Sequence, residues 1–235
     1  MKRIIGALAG LLLLAGDQVS AQGKTAQITF LEGKATRRRE GRSAVELRQG
    51  TALTTGDLVE TREEARLEIR FSDGSLLRLG PKAKLQLSEA HFTGGPARRR
   101  MTAKLFFGQI WAKVTSVIQG DQKFQIETEN AVAGVRGTTF RVDARSDKSV
   151  LVRVYAGTVA VAKNAPLYQT AKPGEERQEV QGPEEVSRDQ WEKIVAGQMQ
   201  ILIAADGTPG EPERVPEAAD GEDAFAKWNL ERDAK

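Results

Sequence analysis

The chain has 235 residues, of which 40% are apolar, 29% charged and 6% aromatic, and its formal net charge is +3. This composition argues against a chain that is disordered throughout and predicts a domain with a modest core and solvated segments. The absence of cysteine excludes disulfides, thiolate metal sites and cysteine nucleophiles, and a single histidine, His91, excludes a site built from several histidines.

The first 21 residues have the three parts of a secretory signal peptide. A basic start, Met1–Arg3, precedes a twelve-residue apolar run, Ile4–Ala15, and small residues follow at Val19–Ala21. As a helix the run would rise roughly 18 Å, which is short of the hydrocarbon core of a bilayer. We therefore expect cleavage near Ala21 and a periplasmic or secreted mature chain. A retained anchor or a buried core helix are the alternatives.

A long region, 22–163, carries strand patterns. In Ala65–Phe71 every second residue is apolar, Asp73-Gly74 follows as a tight turn, and Ser75–Leu79 is predicted to return as the partner strand. The same alternation recurs at 124–128, 139–142, 150–154 and 158–161. These short strands, bounded by glycine, predict an all-β domain that is either a β-sandwich or a short β-solenoid.

The C-terminal part differs from the β region in composition and in the spacing of its apolar residues. Proline and glycine predict a linker or surface arm over 164–186. A capping box at Ser187 and apolar residues at helical spacing predict an amphipathic helix over 187–205, buried against its own domain or offered to a partner. The remainder, 206–235, reads as an acidic, partly disordered tail with one short apolar motif. Its residues are Phe225, Trp228 and Leu230.

Charge is divided along the chain. Residues 22–174 contain 26 Lys and Arg against 15 Asp and Glu, whereas 175–235 contain 7 against 16. Two arginine triplets, Arg37-Arg38-Arg39 and Arg98-Arg99-Arg100, could meet phosphates or anionic glycans, or could be neutralised by the acidic tail. No groove-reading helix, zinc finger or stacking motif accompanies them, so nucleic acid is not expected as a partner.

Catalytic signatures are missing from the sequence. No nucleophile with a paired base or pair of catalytic carboxylates is recognisable, and Gly134–Gly137 lacks the ending of a phosphate loop. We therefore expect no enzymatic activity, no cofactor and no metal.

The stretch 28–161 resembles the FecR domain, the periplasmic module of regulators of the iron-dicitrate sensor type. The matching segments, in chain order, are Phe30-Leu31-Glu32-Gly33, Gly56-Asp57-Leu58-Val59-Glu60-Thr61, Phe71-Ser72-Asp73-Gly74-Ser75, Gly108 with Trp111, Val135-Arg136-Gly137-Thr138, and Val154-Tyr155-Ala156-Gly157. The resemblance implies an all-β, non-catalytic periplasmic domain. In the sensors a cytoplasmic anti-sigma segment precedes the domain; here an export signal starts the chain, so no direct sigma-factor contact is expected.

Most of the signature residues have a structural explanation. Gly56, Gly74, Gly137 and Gly157 suit turns with positive φ, while Asp57 and Asp73 suit hydrogen bonds to turn amides. Arg136, which precedes Gly137 and Thr138, is interpreted as satisfying strand-end carbonyls or pairing with Asp57 or Asp73; anion binding is the alternative.

Three functions remain open for the chain. The first is a protein-binding scaffold or signalling accessory that contacts an unidentified envelope protein through strand edges or the helix bearing Trp191. The second is binding of an anionic glycan, cell-wall polymer or lipid head groups through a basic surface of the β domain. The third is self-association. The candidate interaction residues are Arg37, Arg38, Arg39, Arg98, Arg99, Arg100 and Trp191.

Overall fold

A computed structural model of the chain describes residues 26–92, 99–115, 123–164 and 192–234. The strands are β1 (Ala26–Glu32), β2 (Ala35–Arg38), β3 (Val45–Glu46), β4 (Ala52–Leu53), β5 (Leu58–Thr61), β6 (Arg66–Phe71), β7 (Leu76–Leu79), β8 (Lys84–His91), β9 (Arg100–Lys113), β10 (Lys123–Glu127), β11 (Ala131–Ala144), β12 (Val150–Lys163), β13 (Glu192–Ala196), β14 (Met199–Ile203) and β15 (Glu213–Arg214). One helix, α1 (Ala224–Asp233), follows. The predicted all-β class is confirmed, and the described residues include one C-terminal helix, which lies further along the chain than the predicted 187–205. No helix in these ranges is long and apolar enough to cross a membrane.

Three long strands, β9, β11 and β12, each belong to two sheets. One half of each long strand belongs to the first sheet, whose strand order is β13, β12, β11, β10, β9, β8, β5, β2, β3. The other half of each long strand belongs to the second sheet, whose strand order is β15, β14, β12, β11, β9, β7, β6, β1, β4. The inner faces enclose one core, in which Phe71 of the second sheet meets Phe124 of the first edge to face. This is a sandwich with shared strands.

Each long strand changes sheets at a glycine with positive φ. Gly108 in β9 has φ 95°, Gly137 in β11 has φ 57°, and Gly157 in β12 has φ 83°. A Cβ atom at Gly157 would lie 2.6 Å from the carbonyl oxygen of Gly137, and one at Gly108 would lie 2.5 Å from Cα of Ala83. The corners therefore need glycine both for backbone conformation and for close packing.

The predicted alternation holds on the inner face of the second sheet but not on its outer face. Leu67 and Ile69 of β6 are fully buried, as the pattern predicts. Glu68 and Arg78, which the pattern places in water, are only 3% exposed each. They are buried because α1 lies across the outer face of this sheet and forms hydrogen bonds with Arg78.

The helix predicted over 187–205 is wrong where the structure describes it. Residues 192–203 form the antiparallel partners of β12, with a turn at Gly197 and at Gln198, whose φ is 65°. Val195 is buried and Ile194 is 56% exposed, so the apolar residues follow a period of two. Trp191 and the linker residues 165–186 lie outside the described residues, as does the predicted signal peptide 1–21.

The tail is more ordered than its composition predicts. Ile203 and Pro209 form an isolated bridge, and β15 pairs with β14. The apolar motif lies in α1, where Phe225 is 3% exposed and Leu230 is 42% exposed.

We expect Gly157→Ala to lower the free energy of unfolding by about 2 kcal/mol or more, because an L side chain is strained at positive φ and its Cβ meets the Gly137 carbonyl. Gly134→Ala on β11 is the control, since the nearest atom to its Cβ is 3.9 Å away. Urea denaturation measures both variants. Equal loss of stability in the two would contradict this account of the corner.

Candidate functional site

A row of polar and aromatic side chains crosses the outer face of the second sheet. Directly paired residues on neighbouring strands form it, so all members share one face. We call it the transverse row; its members are Phe30, Glu68, Arg78, Trp111, Arg141, Arg153 and Gln200. Helix α1 and the segment before it lie over this row.

Helix α1 has Asp223 as its N-cap, and Asn229 and Asp233 are polar side chains that it presents to the sheet. The Asp223 carboxylate accepts hydrogen bonds from the amides of Phe225 and Ala226, each at 2.9 Å, as an N-cap does. Asn229 is fully buried and accepts a hydrogen bond from Arg78 through Oδ1. The helix is therefore fixed to the sheet by specific polar contacts as well as by apolar area.

Arg78 is the centre of one buried ion-pair network. Its Nε donates to Glu68 at 2.8 Å and its Nη1 donates to Asp233 at 2.8 Å. Asp233 also accepts from Nε1 of Trp111 at 3.0 Å. Burial raises the pKa of Glu68, but hydrogen bonds from Thr29 and Arg78 outweigh it, and the net pKa lies below its ordinary value.

Arg141 is the centre of a second network. Its guanidinium is 2% exposed and forms two hydrogen bonds with Asp143, at 2.6 and 2.8 Å, and one with Asp223 at 2.6 Å. Burial lowers the pKa of Arg141, but the two carboxylates outweigh this and the net pKa is raised. Burial raises the pKa of Asp143. Burial also acts to raise the pKa of Asp223, but the hydrogen bond from Arg141 and those from helix amides lower it overall.

A third set of hydrogen bonds lies at the end of the transverse row next to β14. Arg153 donates to Gln200 at 2.8 Å and to Asp220 at 3.1 Å, and the Tyr155 hydroxyl donates to the same Asp220 oxygen at 2.9 Å. Burial, together with the nearby Asp220 charge, raises the pKa of Tyr155. Tyr155 also packs on Trp111, with ring centroids 4.2 Å apart. These contacts hold the segment before α1 on the sheet.

The transverse row is a binding surface occupied by the chain's own C-terminus. Its central charged groups are paired with other side chains, which stabilises the fold rather than activating a nucleophile or a base. Across the described ranges no three His, Asp or Glu side chains are close enough to hold a metal ion.

A second surface, open to solvent, lies at the corner of β9. The register between β8 and β9 shifts so that Lys84 pairs with Phe107 and Leu85 with Leu105, leaving Phe106 in a β-bulge. The bulge breaks the alternation, so both phenylalanines are exposed, at 42% and 46%. They line a groove of about 540 Å³, which we call the aromatic groove. Its lining residues are Pro81, Lys82, Phe106, Phe107, Gly108, Thr128, Glu129, Asn130, Ala144, Arg145, Ser146, Lys148 and Val150.

In the first arginine triplet two side chains make intramolecular contacts and one is exposed to solvent. Arg39 donates twice to the buried Asp57, and Arg37 donates to the carbonyl of Ala52 and lies 3.8 Å from Asp57. Arg38 is exposed. Two of its three cations therefore stabilise the turn before β5.

The second triplet does not lie beside the first. Across the first sheet Arg38 aligns through Leu58 and Gln86 with Lys104, whereas Arg100 lies four residues earlier on β9. Arg100 is exposed and Arg99 is partly exposed, and Arg98 is outside the described residues. Among the described residues, Arg99 and Arg100 are therefore not placed beside Arg38 in one basic patch.

The signature residues behave as turn and strand residues. Asp57 accepts from the amide of Thr54 at 2.8 Å, and Asp73 accepts from that of Ser75 at 2.9 Å. Gly56 and Gly74 both have φ 87°. Thr138 donates to the Thr158 carbonyl at 2.9 Å, next to the Gly137 corner. The side chain of Arg136 lies outside what the structure describes, so its predicted pairing remains a prediction.

Sequence reasoning missed both surfaces. Phe107 is apolar and follows the buried residues Ala103 and Leu105 at a period of two, so alternation alone assigns it to the core. The transverse row has a weak signal, Arg141-Val142-Asp143, in which two opposite charges share one face of a strand. Their burial depends on residues about 80 positions later in the chain.

Comparison with known proteins identifies part of the chain. Residues 57–160 match the family model described as FecR protein, which confirms the resemblance over that range. Two crystal structures of a candidate anti-sigma factor from Parabacteroides distasonis, at 1.65 and 2.50 Å resolution, match at 15% identity, 68% coverage of this chain and a TM-score of 0.48. The match covers 61% of that protein's chain, under two thirds of its length. No curated protein matches the sequence.

We expect Arg78→Met to lower the free energy of unfolding by about 3–5 kcal/mol, because Glu68 and Asp233 lose the cation that neutralises them. Arg70→Met is the matched control on the same face: Arg70 is 52% exposed and 3.8 Å from Glu68, and its loss should cost less than about 1 kcal/mol. Urea denaturation compares the two. Similar costs would show that burial of the Arg78 network is not decisive.

Acid should release α1 from the sheet. Glu68 and Asp223 have folded-state pKa values below their ordinary ones, so their stabilisation is complete above the unfolded pKa, about 4, and is lost as pH falls through the folded pKa. Asp143, whose pKa is raised, acts in the opposite sense. We expect the unfolding temperature to fall between about pH 5 and 3, and to fall less in Asp223→Asn, which keeps a capping side chain. An identical fall in both proteins would exclude Asp223 as a cause.

Proposed function

We propose that this chain, which carries a FecR domain over residues 57–160, is a non-catalytic protein-binding module with a signalling-related role in the cell envelope. The aromatic groove is its contact surface. The observation that carries the proposal is the exposure of Phe106 and Phe107 side by side at a bulged corner. Neighbouring exposed aromatic residues are enriched in protein interfaces.

The surroundings of the groove define what it would bind. Lys84 and Lys104 place their ammonium groups 5.9 and 5.3 Å from the Phe106 ring centre, and Arg145 is an exposed lining residue of the groove. An apolar side chain could contact the two rings while a nearby carboxylate meets Lys104 or Arg145. The expected ligand is an extended segment of a partner protein with an apolar anchor next to an acidic residue.

The location and the role rest on sequence. The signal-like segment 1–21 supports export to the periplasm or secretion, where an envelope protein would be the partner. The FecR family match supports a role related to signalling.

The test is capture of an envelope partner by the mature chain 22–235 at low and high salt. Because contact with two aromatic rings is mainly apolar, the partner should be retained at high salt, and Phe106→Ser with Phe107→Ser should abolish retention. Leu202→Ser removes an equally exposed apolar residue, 46% exposed, on β14 and should retain the partner. The captured protein is then purified and its affinity measured against the same three proteins.

Three outcomes would overturn the proposal. Equal affinity of the double serine variant would place the contact elsewhere. Retention of only an anionic glycan, cell-wall polymer or lipid at low salt, with loss in Arg38→Ala and Arg100→Ala, would support the polyanion alternative instead. Concentration-dependent self-association that survives the serine substitutions would favour an assembly unit.

A further inference from the structure

A cationic cleft lies between the last turn of α1 and the outer face of the second sheet. Its volume is about 420 Å³. The lining residues come from β6, the turn after it, β7, β9 with the residues after it, and α1, and they are Glu68, Arg70, Gly74, Leu76, Arg78, Lys113, Thr115, Arg232 and Asp233. Four of them are cations and two are carboxylates, so the cleft has a formal charge of +2. We call it the anion cleft.

Three of the four cations keep unused hydrogen-bonding capacity. Arg78 already donates hydrogen bonds to Glu68, Asn229 and Asp233. The other three make only longer charge contacts, which are Arg70 to Glu68 at 3.8 Å, Lys113 to Asp233 at 3.8 Å and Arg232 to Glu68 at 3.6 Å. Their side chains are 52%, 39% and 31% exposed, so donors remain for a ligand.

Arg232 is held in place before any ligand arrives. Its guanidinium carbon lies 4.4 Å from the ring centre of Phe30 and 5.1 Å from that of Trp228. Its Nε is buried and has no hydrogen-bond partner in the described structure. Contact with the two rings restricts the guanidinium group, which lowers the entropy lost when an anion binds.

We propose that the anion cleft binds a phosphate group and that the bound group joins α1 to the sheet. A formal charge of +2 matches a phosphate dianion, and guanidinium groups suit its oxygens because they offer two parallel donors. Arg70 and Lys113 would contact the ligand from the sheet and Arg232 from the helix. Binding would therefore stabilise the docked position of α1, since it adds a contact present only in that position. This inference is independent of the aromatic groove.

The experiment uses the full mature chain and two sources of the same chemistry. Calorimetry measures binding of inorganic phosphate and of pyrophosphate at constant ionic strength, and co-sedimentation measures binding to vesicles of phosphatidylglycerol against phosphatidylcholine. The test variant carries Arg70→Ala with Lys113→Ala. Both side chains are at least 39% exposed, so the fold should persist, which circular dichroism checks. Arg62→Ala removes an exposed arginine outside the cleft and is the control.

We expect the double variant to lose at least about tenfold in affinity and the control to change by less than about twofold. Hydrogen exchange in residues 224–233 should slow when the anion is added to the wild-type chain and stay unchanged in the double variant. Binding to phosphatidylglycerol vesicles alone, with the same dependence on Arg70 and Lys113, would identify a lipid head group as the source of the phosphate. No binding in either arm, or equal losses in the variant and the control, would overturn the proposal.

Discussion

The burial of Arg78 is the constraint on which the docking of α1 on the second sheet depends. A guanidinium group that is 3% exposed is stable only if carboxylates neutralise it, and here Glu68 comes from the neighbouring strand while Asp233 comes from the end of the chain. The helix therefore does more than cover apolar surface. It supplies one of the two charges without which this sheet could not bury a cation, and Asp223 does the same for Arg141 at its other end.

The three corner glycines explain both the sandwich and the aromatic groove. Because β9, β11 and β12 pass from one sheet to the other, each needs one residue with positive φ at the crossing. A bulge accompanies the crossing in β9, and it leaves the side chains of Phe106 and Phe107 on the same side of the strand. The exposed aromatic pair is thus a local consequence of how the strand turns the corner.

Local features were predictable from the sequence, and long-range ones were not. The alternation in β6, the Asp73-Gly74 turn and the positive φ of Gly137 and Gly157 each depend on a few neighbouring residues, and the structure has them where expected. Residues 192–203 were misassigned because Ile194, Val195 and Met199 fit a helical stripe as well as a two-stranded turn, and only pairing with β12 decides between them. The alternating pattern predicts that Glu68 faces solvent, because nothing near it in the chain shows that a helix about 150 residues later covers it.

Helix α1 has one end beside Gly80, a chain neighbour of a groove residue, and the other end in the wall of the anion cleft. Gly108 lines the groove and Lys113 lines the cleft, so five residues of β9, about 17 Å, separate the two surfaces. A ten-residue helix is about 15 Å long. At one end Phe225 packs beside Gly80, the neighbour of the groove residue Pro81, and at the other Arg232 forms a wall of the cleft. A ligand in the cleft would add contacts only to the docked position of α1, so it would shift the docking equilibrium of this helix toward the sheet.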